Sequence, residues 1–99
     1  MKIIMNKTLQ NKIRQKIRYK CWHRGTKEMD ILLGNFYDKY NNDMSILEHN
    51  EFEENVVSMS DDDLYDIFIN KKNWPPEVKN GLLKKLKKYT KNIGLTHSR

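Results

Sequence analysis

The chain has 99 residues, a hydrophobic share of 37% and a formal net charge of +6. This length allows one small domain with a thin core, and leaves little room for a buried enzyme pocket within a larger scaffold. No apolar run approaches the length of a membrane span, so we expect no membrane insertion. The single cysteine, Cys21, cannot form an internal disulfide, which is typical of a reducing cytoplasm.

The charged residues fall into three blocks along the chain. Residues 1–27 contain nine Lys or Arg and no acid, and residues 71–99 contain nine Lys or Arg and one Glu. Residues 28–70 contain twelve Asp or Glu and one Lys. The basic ends either pack beside the acidic middle and are neutralised by it, or together form an electropositive edge. The first block resembles a mitochondrial presequence in composition, but it runs directly into the first predicted helix, so we expect it to belong to the domain.

The apolar residues of the first half recur at helical spacing in two stretches. A first helix is predicted over residues 8–22 and a second over residues 26–40. Gly25, between them, is expected to take a positive φ and end the first helix, and Thr26 is expected to cap the second. The predicted inward positions are Leu9, Ile13 and Ile17 in the first helix, and Met29, Leu32, Leu33, Phe36, Tyr37 and Tyr40 in the second.

Three further helices are predicted from their starting signals. Ser45 and Glu48 form a capping box for the third, and Ser60 caps the fourth. The fifth is expected to start at Pro75, since proline suits the first helical position. Gly81 within it either weakens the helix or marks a close helix crossing. The predicted inward positions are Leu47, Phe52, Val56 and Met59 in the third helix, Leu64, Ile67 and Phe68 in the fourth, and Val78, Leu82, Leu86, Tyr89 and Ile93 in the fifth.

These patterns predict an all-α protein with a compact five-helix bundle. We expect one helical domain over residues 8–94, a frayed segment at 1–7 and a loose tail at 95–99. Trp74 is expected to pack as a lid on the bundle. The sequence contains no pattern of a β-strand and no internal repeat.

The joint between the first two helices places a cation, a bare backbone and an anion close together. Arg24 and Glu28 are four residues apart, so the plain interpretation is a local surface ion pair of a few tenths of a kcal/mol. The functional interpretation has Gly25 admitting a partner's backbone while the side chains of Arg24 and Glu28, both pointing outward, bind that partner. Trp22 is expected to be partly packed and partly exposed.

The thirteen residues from Trp22 to Gly34, Trp-His-Arg-Gly-Thr-Lys-Glu-Met-Asp-Ile-Leu-Leu-Gly, resemble the signature of the succinate dehydrogenase assembly factor 2 family, the flavinylation factors. The residues of this run are most similar to those of the alphaproteobacterial and mitochondrial branch of the family. A second block, Asp-Asp-Leu-Tyr-Asp at residues 62–66, also resembles the family, and the likeness runs from about residue 16 to about residue 86. Ile67 stands where many relatives have Trp, and it still supplies an apolar contact.

The resemblance implies a non-enzymatic assembly factor. Such a factor binds the flavoprotein subunit of succinate dehydrogenase and promotes covalent attachment of FAD to it, and a fumarate reductase flavoprotein is a second candidate partner. No cofactor is expected on this chain itself. We expect a monomer in the bacterial cytoplasm. The partner-binding residues implied are Trp22, His23, Arg24, Gly25, Glu28 and Asp30.

A small nucleic-acid-binding helical protein is the alternative, suggested by the basic first helix and the lysine-rich last one. No helix carries the row of Arg, Asn or Gln expected for reading bases, and the acidic middle would repel phosphate. Affinity for DNA that survives moderate salt would favour this alternative. The spacing of a zinc site is absent among Cys21, His23, His49 and His97. No base or orienting partner for a nucleophilic Cys21 is evident. The sequence also contains no glycine-rich phosphate loop.

Overall fold

The computed structural model describes residues 7–93 and, within them, five α-helices and no strand. The predicted all-α five-helix bundle is confirmed. The ends predicted to be frayed or loose lie, apart from Lys7, outside the described residues. The helices are α1 (Lys7–Trp22), α2 (Lys27–Tyr40), α3 (Ile46–Phe52), α4 (Asp61–Phe68) and α5 (Asn80–Ile93), with a 3-10 turn at Asn41–Asp43 and a π-helix at Glu53–Val57.

Helices α1 and α2 form a tightly packed antiparallel hairpin. Trp22 at the end of α1 lies against Gly34 of α2. One turn earlier in α1 and one turn later in α2, Arg18 donates to Asp38 at 2.7 Å. Any Cβ at Gly34 would run into the indole ring of Trp22, so this glycine allows the two helices to approach. The predicted cap is confirmed, because the Thr26 hydroxyl accepts from the amide of Met29 at 3.2 Å.

The core is built on the aromatic side chains of α2. Phe36 is fully buried, and its ring centroid lies 5.0 Å from Tyr40, 5.4 Å from Phe52 and 5.4 Å from Tyr89. Tyr37 stacks on Phe52 at 5.6 Å. The predicted buried face of α2 is therefore confirmed, with Leu32 only partly buried at its edge.

The inward face of α3 differs from the prediction at one position. The capping box of Ser45 and Glu48 is present as predicted. Leu47, however, is 78% exposed, and His49 is buried in the core instead, with its Nδ1 3.0 Å from the hydroxyl of Tyr37. Because helix phase is fixed by the whole buried face, a polar ring that finds a hydrogen-bond partner can take a core position ahead of an apolar neighbour. In α1, Leu9 was likewise predicted inward and is 46% exposed.

The start of α5 also differs from the prediction. The segment at Pro75 is a turn, in which the amide of Val78 donates to the carbonyl of Pro75 at 3.0 Å, and the helix begins at Asn80. Two consecutive prolines explain the delay, since Pro76 disfavours helical geometry at Pro75. Gly81 is exposed, and a Cβ there would meet the carboxylate at the end of the Glu48 side chain of α3, so a close helix crossing at this glycine stays a prediction.

Trp74 packs on the bundle as predicted. It is half-buried, and its ring meets Phe68 edge-on with a centroid distance of 5.7 Å.

The ion pairs of the described residues join the basic ends to the acidic middle. They are Lys16–Glu53, Arg18–Asp38, Lys20–Glu53, Arg24–Asp61, Lys72–Asp63 and Lys85–Glu48. Each pairs a cation from residues 1–27 or 71–99 with an acid from residues 28–70, which favours mutual neutralisation over one continuous electropositive edge. Four exposed lysines on the outer face of α5 take no part in these pairs: Lys84, Lys87, Lys88 and Lys91.

Candidate functional site

The side chain of Arg24 turns inward from the joint and binds the start of α4. Its Nε donates to Asp61 Oδ1 at 2.8 Å, and Nη1 and Nη2 donate to the carbonyls of Val57 and Met59. The side chain is only 10% exposed. The predicted outward orientation of Arg24 is therefore wrong, as is a local ion pair with Glu28. A planar guanidinium has several N–H donors and can bond to several oxygens at once. The start of α4 and the segment just before it offer three such oxygens, whereas Glu28 would offer one carboxylate.

Gly25 is held at the same carboxylate. Its amide donates to Asp61 Oδ2 at 2.9 Å, and a Cβ built on Gly25 would also lie 2.9 Å from that oxygen. Gly25 does not have the positive φ that we predicted, and a side chain here would instead require the Asp61 carboxylate to shift. We name the contacts of Asp61 with Arg24 and Gly25 the Asp61 clamp.

Asp30 fixes the joint from its other side. Its carboxylate accepts from the backbone amide of Arg24 and lies within the first turn of α2, where the helix N-terminus favours an acid. Asp30 is half-buried. Of the predicted site residues, Arg24 and Asp30 therefore shape the joint through contacts within the chain.

His23 and Glu28 are the predicted site residues whose side chains face solvent, on either side of the exposed backbone of Gly25. The ring of His23 stacks on Tyr19 at 4.0 Å, and its Nδ1–H donates to the carbonyl of Tyr19 at 2.9 Å. The side chain of Glu28 makes no hydrogen bond or ion pair with any described residue. Its carboxylate is thus available to a partner.

Two hollows flank Asp61 on this surface. One, of about 400 Å³, is lined by Tyr19, Lys20, His23, Arg24, Gly25, Val57 and Asp61. The other, of about 440 Å³, is lined by Thr26, Glu28, Met29, Asp61, Asp62, Tyr65 and Asp66, four of which carry carboxylates. The family-like block at residues 62–66 thus lies beside the joint, which the sequence alone did not predict.

Tyr19 and Asp61 are the residues that sequence reasoning missed at this surface. Tyr19 is 63% exposed, and its signal was its position one helical turn before His23 on the same face. Asp61 was interpreted only as a favourable charge at the start of a helix. No feature of the sequence connects it with Arg24.

Trp22 belongs to the packing of the hairpin more than to the exposed surface. It is half-buried over Gly34, the guanidinium of Arg18 lies 5.7 Å from its ring centre, and its Nε1 is buried without a hydrogen-bond partner among the described residues. The indole therefore closes the end of the hairpin next to the joint.

The described residues contain no group of three His, Cys, Asp or Glu side chains arranged to hold a metal ion. Cys21 is buried, and burial raises the pKa of its thiol to about 12, so it is protonated at neutral pH. His97 lies outside the described residues. Within residues 7–93, no helix combines the length and apolar character that crossing a bilayer would require.

Comparison with known proteins shows which family this chain resembles over most of its length. The family model described as flavinator of succinate dehydrogenase matches residues 15–90. A protein of Drosophila mojavensis named succinate dehydrogenase assembly factor 2-A, mitochondrial, is 34% identical over 80 residues, which cover 80% of this chain and 51% of the relative. The chain thus spans about half the length of the curated relative that it matches. No solved structure gives a significant match. With three quarters of its length within the family model, the chain belongs to the flavinator of succinate dehydrogenase family.

Proposed function

We propose that this protein is an assembly factor that binds the flavoprotein subunit of succinate dehydrogenase and promotes covalent attachment of FAD to it. Family membership supports the role in succinate dehydrogenase flavinylation. The observation that supports the proposed contact is the exposed face of the joint, where His23 and Glu28 flank the bare backbone of Gly25. This face lies inside the stretch matched by the family model.

The proposed roles of the site residues differ with their geometry. Glu28 and His23 contact the partner directly, and the partner's backbone approaches Gly25. Arg24 and Asp30 are positioning residues, because the Asp61 clamp and the Asp30 carboxylate hold the backbone of the joint in one conformation. A surface held in its bound conformation loses less entropy when a partner binds.

We propose that the factor acts by population shift and not by supplying a catalytic group. It binds one arrangement of the flavoprotein more tightly, and so holds FAD and the accepting histidine of the flavoprotein in reacting geometry. The bond-forming chemistry then belongs to the flavin and to the partner's side chains. The names of the family and of the curated relative support such a non-catalytic role. A fumarate reductase flavoprotein as second partner, a monomeric state and a bacterial cytoplasmic location all stay predictions.

The test uses Glu28→Ala and His23→Ala, each as the only copy of the factor in its cell. Both side chains are exposed, so both variants should keep the melting temperature of the wild type. Covalent flavin in the flavoprotein subunit is measured by its in-gel fluorescence. We expect a loss of covalent flavin with both variants, and Glu28→Ala should weaken the complex by more than about tenfold, since losing a hydrogen-bonded charge at a buried contact costs about 2–5 kcal/mol.

The matched control is Glu54→Ala, which removes an exposed glutamate that lines neither hollow at the joint. It should leave flavinylation unchanged. Gly25→Arg and Arg24→Ala are less informative, because both would also disturb the Asp61 clamp. Full flavinylation with folded Glu28→Ala and His23→Ala proteins would refute the joint as the contact surface. Full flavinylation in a strain lacking the factor altogether would refute the function.

A further inference from the structure

A second concave surface, which we name the basic cleft, lies between α5 and the loop that precedes it. Its volume is about 330 Å³, and its lining includes three lysines, two asparagines and one tryptophan: Lys72, Lys87, Lys91, Asn70, Asn73 and Trp74. No carboxylate lines it, and it shares no lining residue with either hollow at the joint. The basic cleft is therefore separate from the joint, and ammonium and amide groups line it where carboxylates line the hollows at the joint.

The lysines of the basic cleft are not accounted for by the fold. Lys87 and Lys91 are exposed, lie one helical turn apart and form no ion pair with the described residues. Like charges four residues apart destabilise a helix slightly, so helix formation does not favour this pair. Lys72 differs, since its Nζ donates to Asp63 at 2.7 Å. Two free ammonium groups thus face one side of the basic cleft.

Two amide side chains face the other side. Asn70 and Asn73 are exposed, and neither side chain is hydrogen-bonded to the described residues. Asn70 follows the end of α4 with a φ of 68°. Its backbone amide donates to the carbonyl of Ile67, and the backbone amide of Lys71 donates to the carbonyl of Asp66. These bonds fix the backbone from which the Asn70 side chain extends. An amide can donate and accept, which matches the two groups of a peptide backbone.

We propose that the basic cleft binds an extended acidic segment of another protein. Carboxylates of consecutive Asp or Glu residues would pair with Lys87 and Lys91, and backbone groups of the segment would bond to the two asparagines. A flat anionic membrane would not enter a concave surface, and neither would a double helix. Single-stranded nucleic acid is bound by stacking successive bases on aromatic rings, and the basic cleft contains one such ring, Trp74. This inference does not rest on the function proposed for the joint.

The test measures binding of a fluorescein-labelled peptide of consecutive glutamates to the full chain, by fluorescence polarisation at physiological ionic strength. The cleft variant is Lys87→Gln/Lys91→Gln. The matched control is Lys84→Gln/Lys88→Gln, which changes the same residue type at the same spacing on the adjacent face of α5. Each variant lowers the formal net charge of +6 by two. We expect the cleft variant to weaken binding by about tenfold or more and the control by less than about threefold.

A second pair of variants separates recognition from simple charge attraction. Asn73→Ala and Asn70→Gly leave the net charge unchanged, and glycine at position 70 keeps the left-handed backbone. Each should weaken binding by about threefold. Equal losses from the two lysine pairs, no binding by the wild type, or no effect of either asparagine change would each overturn the proposal. Tighter binding of a single-stranded oligothymidylate or of anionic lipid vesicles than of the peptide would also overturn it.

Discussion

Arg24 and Asp61 are 37 residues apart in the sequence, and Arg24 Nε lies 2.8 Å from Asp61 Oδ1. The same carboxylate accepts from the amide of Gly25 through its other oxygen. A single aspartate at the start of α4 therefore ties down two consecutive residues of the joint between α1 and α2. The joint is therefore held by this long-range contact in addition to the Thr26 cap of α2.

Arg24→Ala should lower the free energy of unfolding by about 3–5 kcal/mol, because it leaves the Asp61 carboxylate and two carbonyls without their donor in a largely buried position. The measurement is denaturation in urea. Arg18→Ala is the control, since it breaks an exposed, solvent-screened pair with Asp38 and should cost much less. Equal losses in the two variants would contradict a structural role for Arg24.

Gly25→Ala should destabilise the protein by about 1–3 kcal/mol, because its Cβ would crowd Asp61 Oδ2. The same change made in an Asp61→Ala background should cost much less, since the crowded atom is then absent. A double-mutant cycle measured by urea denaturation isolates this coupling. Additive effects of the two changes would show that Gly25 is required for another reason.

Phe36→Ala should destabilise the protein by about 3–5 kcal/mol, which is enough to unfold many small domains. The ring is fully buried between the rings of Tyr40, Phe52 and Tyr89, so its loss leaves a cavity. Ile31→Ala, at a 43% exposed position of the same helix, should change stability by only about 0.5 kcal/mol. Thermal melting followed by circular dichroism compares the two, and an unchanged melting temperature for Phe36→Ala would contradict the assigned core.

Stability should fall as the pH drops below the ordinary pKa of histidine. Burial, with the Arg14 cation as a second cause, lowers the pKa of His49 from its ordinary value of 6.5. Below about pH 6.5 the unfolded chain therefore binds a proton that the folded protein excludes, and the unfolding free energy falls by up to about 1.4 kcal/mol per pH unit until the folded pKa is reached. Above about pH 6.5, the contribution of His49 to the free energy of unfolding is complete and constant.

His49→Gln is the variant that tests this dependence. Urea denaturation between about pH 5 and 7.5 should give a shallower pH dependence for the variant than for the wild type. Tyr37→Phe, which removes the hydroxyl 3.0 Å from His49 Nδ1 and keeps the buried imidazole, should retain most of the dependence. Identical slopes for His49→Gln and the wild type would show that other groups cause the dependence.

Features encoded by neighbouring residues were predictable from the sequence. The cap at Thr26, the capping box at Ser45 and the cap at Ser60 were correctly predicted, because a cap needs only a side chain and amides three residues away. The buried face of α2 followed from its spacing. The family was identified correctly from one thirteen-residue run and a second short block.

The position of the joint was predictable from the sequence, but the contacts of its residues were not. The motif located the joint, and Glu28 faces solvent there as expected. The orientation of Arg24 was wrong, because a long side chain takes the partners that offer it most hydrogen bonds, and those lie on the segment from Val57 to Asp61. The spacing of Arg24 and Glu28 carries no information about that segment.

By itself, then, the sequence determined the helices, most of their caps and the family, since each depends on residues that are close together in the chain. Only the tertiary structure decided that His49 takes a core position while Leu47 faces solvent, and that Arg24 binds Asp61. Both outcomes depend on hydrogen-bond partners supplied by other helices. A buried polar group is stable only where such a partner meets it, and packing of the whole chain determines where that is.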